Sequence, residues 1–410
     1  MHKQIERVEA AIRDLKMGKM IILTDDPERE NEGDLIIPAE NMTVKQMNFM
    51  IRHGTGIVCL SLTAQHLKQF NLPLMVPREE NSSLRGTPFT VSIDAGTGIT
   101  TGVSAADRIK TVQAVMNDHA LPDDVVKPGH IFPLQARDGG VLERRGHTEG
   151  AIDIAALAGF RPAAVLCEIM NADGTMARGK KLEKFAVRHK LTTLSIEDLV
   201  VYRLRYDTII ESESSALLPL DKYGTFKITV FKEKYNGNEH VVLTKEGKRP
   251  NNFPLVRIHS SCLTGDLFSS KRCDCNQQLH HALHRISIEG GMLIYLSQEG
   301  RGVGLLNKIR AYALQEKGFD TVEANQELGL PVDARRYFVA ANILRKYNMH
   351  HIRLLTANPD KINDLHKFGI EQIDVERMPS FQHEVNKDYL KTKIEKLNHM
   401  ISFENACSIR

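Results

Sequence analysis

The chain has 410 residues, with 54 Lys and Arg against 51 Asp and Glu, a formal net charge of +3 and an apolar fraction of 42%. Such a length leaves room for two or three domains, each with its own core, while the near balance of charge gives no electrostatic case for a nucleic-acid or membrane partner. No apolar run approaches a membrane span, the charged start M-H-K-Q-I-E-R is unlike a signal peptide, and the expectation is a cytoplasmic protein whose six cysteines stay reduced.

In chain order, Ile5, Val8, Ile12 and Leu15 recur at helical spacing and Gly18 stops the helix. Met20–Leu23 reads as a buried strand. The run D-D-P-E-R-E-N-E-G-D, Asp25 to Asp34, then places six carboxylates around Arg29. Two readings stand: a solvated acidic loop, or a hard-cation site that uses one or two carboxylates plus substrate oxygens. In the second, Arg29 offers a planar fork to a phosphate or carboxylate. Val44, Met47, Met50 and Ile51 mark a helix ending near Gly54, and Gly56–Leu62 a strand. Leu72–Thr87 is a loop long enough to be functional or disordered, and Phe89–Ile93 returns to strand pattern.

In T-G-V-S-A-A-D-R, Ser104 is the N-cap of a helix and Asp107 stands where a capping box has its acid; the exposed amides there also suit a phosphate. P-G-H-I-F-P-L carries His130. R-R-G-H-T-E-G, Arg144 to Gly150, opens a further helix with Thr148 as its N-cap and His147 just before it. Ala163–Ile169 is a strand ending at Glu168, where an α/β site commonly places a carboxylate. Ser195 opens another helix. The alternation predicts an α+β chain of two tandem mixed α/β domains. Tyr202–Leu220, with E-S-E-S-S-A followed by L-L-P-L, reads as a linker, so the domains are set at 1–205 and 206–410.

In the second half, Thr225–Phe231 is a strand, N-G-N after Tyr235 a hairpin turn, and Pro254–Ile258 a strand running into R-I-H-S-S-C-L-T-G-D-L-F-S-S-K-R-C-D-C-N. Cys262, Cys273 and Cys275 are candidate metal ligands. Three thiolates match a zinc that keeps one position open and activates water. Two alternatives remain: a structural zinc completed by His259, His280, His281 or His284, and plain buried cysteines. Leu279, Leu283 and Ile286 share a helix face that leaves His280 and His284 at the surface. Met292–Leu296 is a buried strand followed by Q-E-G-R-G-V-G-L, a Gly-rich turn before a helix that, with Arg301, suits a triphosphate. R-L-L-T-A-N-P-D-K carries Thr356 and Lys361. The tail Asn386–Cys407 is charged and helical, with no chemistry assigned to it.

Together, D-D-P-E-R-E-N-E-G-D, T-G-V-S-A-A-D-R, P-G-H-I-F-P-L and R-R-G-H-T-E resemble 3,4-dihydroxy-2-butanone 4-phosphate synthase. H-S-S-C-L-T-G-D with R-C-D-C, Q-E-G-R-G-V-G-L and T-V-E-A-N resemble GTP cyclohydrolase II. Both sets in one chain resemble the bifunctional riboflavin-biosynthesis family over nearly the whole length. The first resemblance implies a homodimer that converts ribulose 5-phosphate to dihydroxybutanone phosphate and formate. Glu30 and His147 would bind Mg²⁺ or Mn²⁺; Arg29, Glu30, Asp34, Arg144, Arg145, Gly146, His147, Thr148 and Glu168 would hold substrate; His130 and Glu168 would move protons.

The second resemblance implies Zn²⁺ on Cys262, Cys273 and Cys275; release of pyrophosphate adds the expectation of Mg²⁺ on the phosphates of GTP. The nucleotide would be held by Arg257, Ile258, His259, Ser260, Ser261, Gln278, Glu299, Gly300, Arg301, Tyr312, Thr321, Thr356 and Lys361. Asp333 would accept a proton and Arg335 would act on the α-phosphate. A guanidinium is always charged and a poor nucleophile, which makes Arg335 an electrostatic clamp. The products would be a diaminopyrimidinone ribosyl phosphate, formate and pyrophosphate. The chain departs from the pattern at Ser261, where the family has glutamate, and at Arg145, Gly150 and Asn276. Ser261 raises two further readings: an active synthase with a weak or inactive cyclohydrolase domain, and a zinc-stabilised binding module.

Overall fold

The computed structural model describes residues 2–247 and 253–400, and divides into two compact units, Met1–Arg203 and Leu204–Arg410. Cys407 and the end of the tail lie outside the described residues.

The first unit begins with α1 (His2–Lys16), which buries Val8, Ala11 and Leu15 and stops at Gly18, whose φ of 73° suits glycine. Then come β1 (Ile21–Thr24), β2 (Gly33–Pro38), α2 (Val44–Phe49), β3 (Cys59–Leu62), α3 (Ala64–Gln69), β4 (Ile93–Ala95) and α4 (Ala105–Met116). They are followed by β5 (Val125–Gln135), α5 (His147–Leu157), β6 (Ala163–Glu168), α6 (Lys180–His189), β7 (Thr192–Ser195) and α7 (Ile196–Tyr206). The seven strands form one mixed sheet in the order β4-β5-β3-β6-β2-β1-β7. Only β1–β7 and β3–β5 are parallel pairs. The central strands read as continuous apolar runs because both faces are covered. One consequence positions the site: β2 and β6 pair antiparallel with Asp34 opposite Glu168, so the acidic loop between β1 and β2 ends beside the carboxylate that ends β6.

The second unit runs β8 (Ile210–Leu220), β9 (Gly224–Glu233), β10 (Glu239–Lys245), β11 (Leu255–Ser260), α8 (Cys275–Glu289), β12 (Gly291–Leu296), α9 (Leu305–Gln315) and α10 (Thr321–Glu327). It ends with α11 (Phe338–Lys346), β13 (His351–Thr356), α12 (Pro359–Lys367), β14 (Gln372–Arg377) and α13 (Lys387–Glu395). Its seven-stranded sheet has the order β14-β13-β11-β12-β10-β9-β8, with an antiparallel half from β8 to β12 and a parallel half from β12 to β14. The carboxyl ends of β11, β12 and β13 therefore point the same way, the arrangement that opens a ligand crevice in α/β sheets.

The structure differs from the sequence reading in four places. The presumed linker is mostly β8, an edge strand paired only with β9; its exposed Glu211–Ser215 run is polar because it faces solvent, and Pro219 is tolerated at an edge. Phe89 and Thr90 make isolated bridges, and the strand proper starts only at Ile93. The N-cap of α5 is Gly146, not Thr148, so His147 occupies the first helical position. Ser104 does cap α4, but the Asp107 carboxylate accepts from Thr100 N at 3.1 Å and Thr100 Oγ1 at 2.7 Å, pinning the preceding loop rather than closing a capping box.

Candidate active sites

In the first unit the acidic loop is folded around one of its own members. Asp25 accepts from the backbone N–H of Glu30 at 3.1 Å and of Glu32 at 2.9 Å, and from Arg29 Nη1 at 3.2 Å. Its carboxylate is spent on shaping the loop, and Glu30 and Asp34 are left facing His147, whose Nδ1 lies 3.9 Å from Glu30 Oε2 and 4.0 Å from Asp34 Oδ2. Asp25, Glu30 and His147 each place a donor atom within 4.8 Å of the others. His147 Nε2 and Asp34 Oδ1 are buried with no hydrogen-bond partner, which costs free energy unless a ligand or cation meets them.

Burial, then the charges of Glu168, Glu30, Asp25 and Glu32, hold Asp34 well above the usual carboxylate range. Burial also raises Glu168 and lowers His147. Glu168 is fixed by Ile57, whose N–H donates to Oε2 at 2.8 Å. Gly56 permits this approach, since a Cβ there would overlap the same carboxylate. His130 lies on β5, its Nδ1 2.7 Å from Asp94 Oδ2 while its backbone N–H donates to Asp94 Oδ1 at 3.0 Å. Gly102, in the T-G-V-S stretch, packs against both, and a Cβ there would come within 2.6 Å of His130 Nδ1.

Arg144 Nη1 pairs with the buried Glu149 at 2.7 Å, and its Nη2 donates to Arg85 O at 3.3 Å. Arg85 in turn donates to Arg29 O, so the long loop after Leu72 reaches the acidic loop. Arg145 turns outward to an exposed pair with Glu197 at 2.7 Å, and its side chain is not among those gathered here. Thr148 is buried, its carbonyl accepting from Ser61 Oγ at 2.7 Å. Gly150 makes room for Leu23: a Cβ would come within 2.6 Å of its Cδ2. Asp94 and Arg85 were not legible as site residues, because neither sits in a motif and both act through a fold contact.

In the second unit the thiols of Cys262, Cys273 and Cys275 lie within 4.8 Å of one another, with Cys262 and Cys273 Sγ 3.7 Å apart. Among the described residues no histidine joins them. His259 pairs with Asp266 at 3.1 Å, His280 meets the Tyr223 hydroxyl at 2.8 Å, His281 packs on Phe381, and His284 is exposed. The donor set is therefore three soft sulfurs with space beside them, which fits zinc with an open position.

Gly265 touches the cluster; a Cβ would stand 2.9 Å from Cys273 Sγ and 3.0 Å from Cys262 Sγ. Asp266 holds the loop by accepting from Cys262 N at 3.0 Å and the Tyr295 hydroxyl at 2.8 Å. Lys308 Nζ is 3.2 Å from Cys262 Sγ and 2.8 Å from Glu299 Oε1, while Glu299 Oε2 accepts from Leu263 N at 2.6 Å. Hydrogen bonds from Cys273 and Cys275, with Lys308 nearby, hold the Cys262 thiol far below its ordinary value, whereas the bond to Cys262 pushes Cys273 up to about 11. Burial draws Lys308 down, but Glu299 and Cys262 outweigh it and leave it above the usual lysine value.

A pocket opens over the thiols. It is lined by Arg257, His259, Ser260, Ser261, Gln278, Glu299, Gly300, Arg301, Tyr312, Thr321, Arg335, Thr356 and Lys361. Ile258 is core; its contribution is a carbonyl that accepts from the buried Lys361 Nζ at 2.7 Å. Asp333 reaches the pocket through Arg335, which it pairs with at 2.9 Å. Arg301 takes a left-handed φ of 60° after Gly300 at 62°, and its two Nη atoms are buried and unpartnered. A non-glycine residue held there stores backbone strain of the kind found at ligand clamps. Arg257 is buried, donating to Leu355 O at 3.0 Å and Gln278 Oε1 at 2.7 Å, and burial lowers it to about 10. Ser261 Oγ accepts from Gln298 N at 3.1 Å, so it braces the Gly-rich turn. Gly265 and Asp266 lie in the H-S-S-C-L-T-G-D motif without a role read for them, and Lys308 lies just past the Gly-rich turn; Tyr389, Lys393 and His399, which also line the pocket, come from the tail to which the sequence assigns no chemistry.

The two sites define a two-headed enzyme, a lyase unit followed by a hydrolase unit. Residues 9–202 match the family model of 3,4-dihydroxy-2-butanone 4-phosphate synthase, and residues 211–379 that of GTP cyclohydrolase II. The riboflavin biosynthesis protein RibBA of Aquifex aeolicus (strain VF5) is 50% identical over 397 residues, covering 96% of this chain and 97% of its own. That of Bacillus cereus (strain AH187) is 47% identical, covering 97% and 99%. A solved structure of RibBX, a two-domain 3,4-dihydroxy-2-butanone 4-phosphate synthase from A. baumannii, is 35% identical with a TM-score of 0.64, covering 90% of this chain and 99% of that one. The chain belongs to the RibBA family of riboflavin biosynthesis proteins, which joins the synthase and the cyclohydrolase in one polypeptide.

Proposed function

We propose that the first unit acts on ribulose 5-phosphate at the Glu30–Asp34–His147–Glu168 cluster, with Glu30 and His147 holding Mg²⁺ or Mn²⁺. The carrying observation is the pair of buried, unpartnered atoms His147 Nε2 and Asp34 Oδ1 beside converging carboxylates. A divalent cation there would stabilise the negative charge that builds on adjacent substrate oxygens. Arg29 is anchored by Asp25, and Arg144 by Glu149, which presents two guanidinium groups for the phosphate and hydroxyl end of the sugar. Thr148 and Gly146 supply helix-start backbone next to His147. Glu168, fixed by Ile57 N–H, and His130, oriented by Asp94, are the groups that take and return protons. Val103, 49% exposed, follows Gly102 beside His130, and Ile57, also 49% exposed, lies next to Glu168; both support a homodimer face at the proton-transfer residues.

The second unit binds GTP over the three thiols and releases formate and pyrophosphate. Cys262, Cys273 and Cys275 would hold Zn²⁺, which would supply the Lewis acid that activates water. Arg257, Arg301 and Arg335 give the pocket a concentration of positive charge suited to a triphosphate and its Mg²⁺, and Lys361, whose pKa burial and then Arg257 push well below the usual lysine value, adds a donor beside them. Thr321, Tyr312, Gln278 and the segment His259–Ser261 complete the walls. Asp333 is the proton acceptor and Arg335 the clamp on the α-phosphate.

A second reading, an active synthase with a decayed cyclohydrolase, starts from Ser261. Against it stands Glu299, which already supplies a carboxylate to the Cys262 loop through Leu263 N–H and Lys308. Formate release from ribulose 5-phosphate and from GTP, measured separately on wild type and Ser261→Glu, decides between them. GTP-derived formate that appears only in Ser261→Glu establishes the decayed head. The setting is proposed to be cytoplasmic; among the described residues no helix is long and apolar enough to cross a membrane.

A further inference from the structure

The match to the cyclohydrolase family ends at residue 379, but the pocket wall continues into α13 and beyond it, with Tyr389, Lys393 and His399. Lys393 is 8% exposed, and its Nζ lies 3.0 Å from Asp274 Oδ1, the residue between two of the three cysteines. Asp274 Oδ2 accepts from Gln278 Nε2 at 2.7 Å, and Gln278 Oε1 accepts from Arg257 Nη2 at 2.7 Å. A chain of buried polar contacts thus runs from the tail, past the thiols, to β11. Tyr389 stands between two cations, with Lys393 Nζ 4.5 Å and Arg301 Cζ 5.7 Å from its ring centroid.

The tail is also fastened on several sides of the pocket. Met400 N–H donates to Ala357 O at 2.8 Å, next to Thr356. Lys396 pairs with Asp320 and Glu323, which cap the helix that carries Thr321. Gln277 meets His383 at 2.9 Å, and Leu390 is fully buried.

We propose that this C-terminal segment is a working wall of the nucleotide pocket, and that Lys393 is a positioning residue for GTP, acting through Asp274 on the Gln278–Arg257 pair. This rests on the cyclohydrolase reading above. The physical reason is a competition for donors. Asp274 is 1% exposed, and a buried carboxylate that loses its cation must find other donors. With Lys393 present, Asp274 Oδ1 accepts from the lysine and Oδ2 from Gln278 Nε2, which leaves the Gln278 carbonyl turned to Arg257. Without Lys393, Asp274 Oδ1 loses its donor and competes for the Gln278 amide and the Arg257 guanidinium, and the wall facing the nucleotide shifts.

The test uses the full chain loaded with zinc, as wild type, Lys393→Met and Lys393→Arg. GTP binding is measured by calorimetry, formate release gives kcat and KM with GTP, and zinc content and synthase rate report whether the rest of the chain is intact. Lys393→Met is expected to weaken GTP binding and raise KM by about 10-fold or more, with kcat reduced less than about threefold and with zinc and synthase rate unchanged. Lys393→Arg recovers most of the binding. Unchanged binding in Lys393→Met overturns the proposal, and so does a loss of zinc and kcat together that arginine does not rescue, since that marks a merely structural strap. Wild-type protein that binds GTP but releases no formate from it overturns the cyclohydrolase reading alone, and the ratio of dissociation constants still tests the wall. Wild-type protein that does not bind GTP overturns both.

Discussion

Arg335 Nε lies 2.9 Å from Asp333 Oδ1 and 3.1 Å from Oδ2, so the clamp and the proton acceptor proposed for GTP hold each other before any nucleotide arrives. Burial would raise Asp333, but Arg335 outweighs it and leaves the carboxylate below its usual range. A paired carboxylate is a weak base. An α-phosphate that draws the guanidinium away restores its basicity, coupling proton transfer to phosphate binding. Asp333→Asn is expected to lower GTP-derived formate by about 10²–10⁴-fold, the ordinary worth of a positioned acid or base. Arg335→Lys, which keeps the charge but loses the fork, is expected to raise KM and lower kcat together. Steady-state formate assays read both, and a wild-type rate in Asp333→Asn removes it from the mechanism.

The contact between His130 Nδ1 and Asp94 Oδ2 fixes which imidazole nitrogen is presented outward. Asp94→Asn is expected to lower the synthase kcat by about 10²-fold or more, with KM for ribulose 5-phosphate nearly unchanged. Steady-state kinetics with ribulose 5-phosphate check it, and a wild-type kcat in Asp94→Asn removes Asp94 from the positioning of His130.

Gly265 is the one glycine whose replacement acts directly on the thiol cluster. Gly265→Ala places a methyl 2.9 Å from Cys273 Sγ and 3.0 Å from Cys262 Sγ, and the loop must shift. The expected outcome is loss of zinc and of GTP-derived formate with synthase activity retained. Zinc content by elemental analysis beside the two assays reads it, and a fully zinc-loaded, active Gly265→Ala contradicts the geometry.

His399 is pushed down to about 3, first by burial and then by Lys393, Arg335, Lys361 and Arg301. Its folded value lies below its ordinary value of 6.5, so the folded tail favours the neutral ring. The stability it contributes is present above the ordinary value and is lost as the pH falls toward the folded one. Hydrogen-exchange protection factors of α13 are therefore expected to fall progressively from about pH 6.5 toward about pH 3. His399→Gln should flatten that dependence; a steep dependence that survives the substitution assigns it elsewhere.

Much of each site was readable because chemistry clusters in sequence. Arg29 and Glu30 lie in the loop between β1 and β2 and Asp34 on β2 itself, and the β2–β6 register brings Glu168 beside them. The three cysteines lie on one loop and the first turn of α8. Residues that act across the fold were less legible. Asp94 meets His130 at a separation of 36 positions, and Lys393 meets Asp274 at 119. Composition misled at β8, where an exposed edge strand has the polarity of a linker. The preference of threonine for cap positions put the start of α5 late at Thr148, whereas Gly146 takes the cap position. Arg145 lies in a motif yet its side chain leaves the site for Glu197, a direction that no sequence pattern specifies.

The most direct measurement is formate release by the same purified chain, given ribulose 5-phosphate with Mg²⁺ in one assay and GTP with zinc-loaded enzyme and Mg²⁺ in another. The account predicts formate from each, with Glu30→Gln silencing only the first and Cys273→Ser only the second. Formate from one substrate alone, or one substitution silencing both reactions, would contradict two independent sites in one polypeptide.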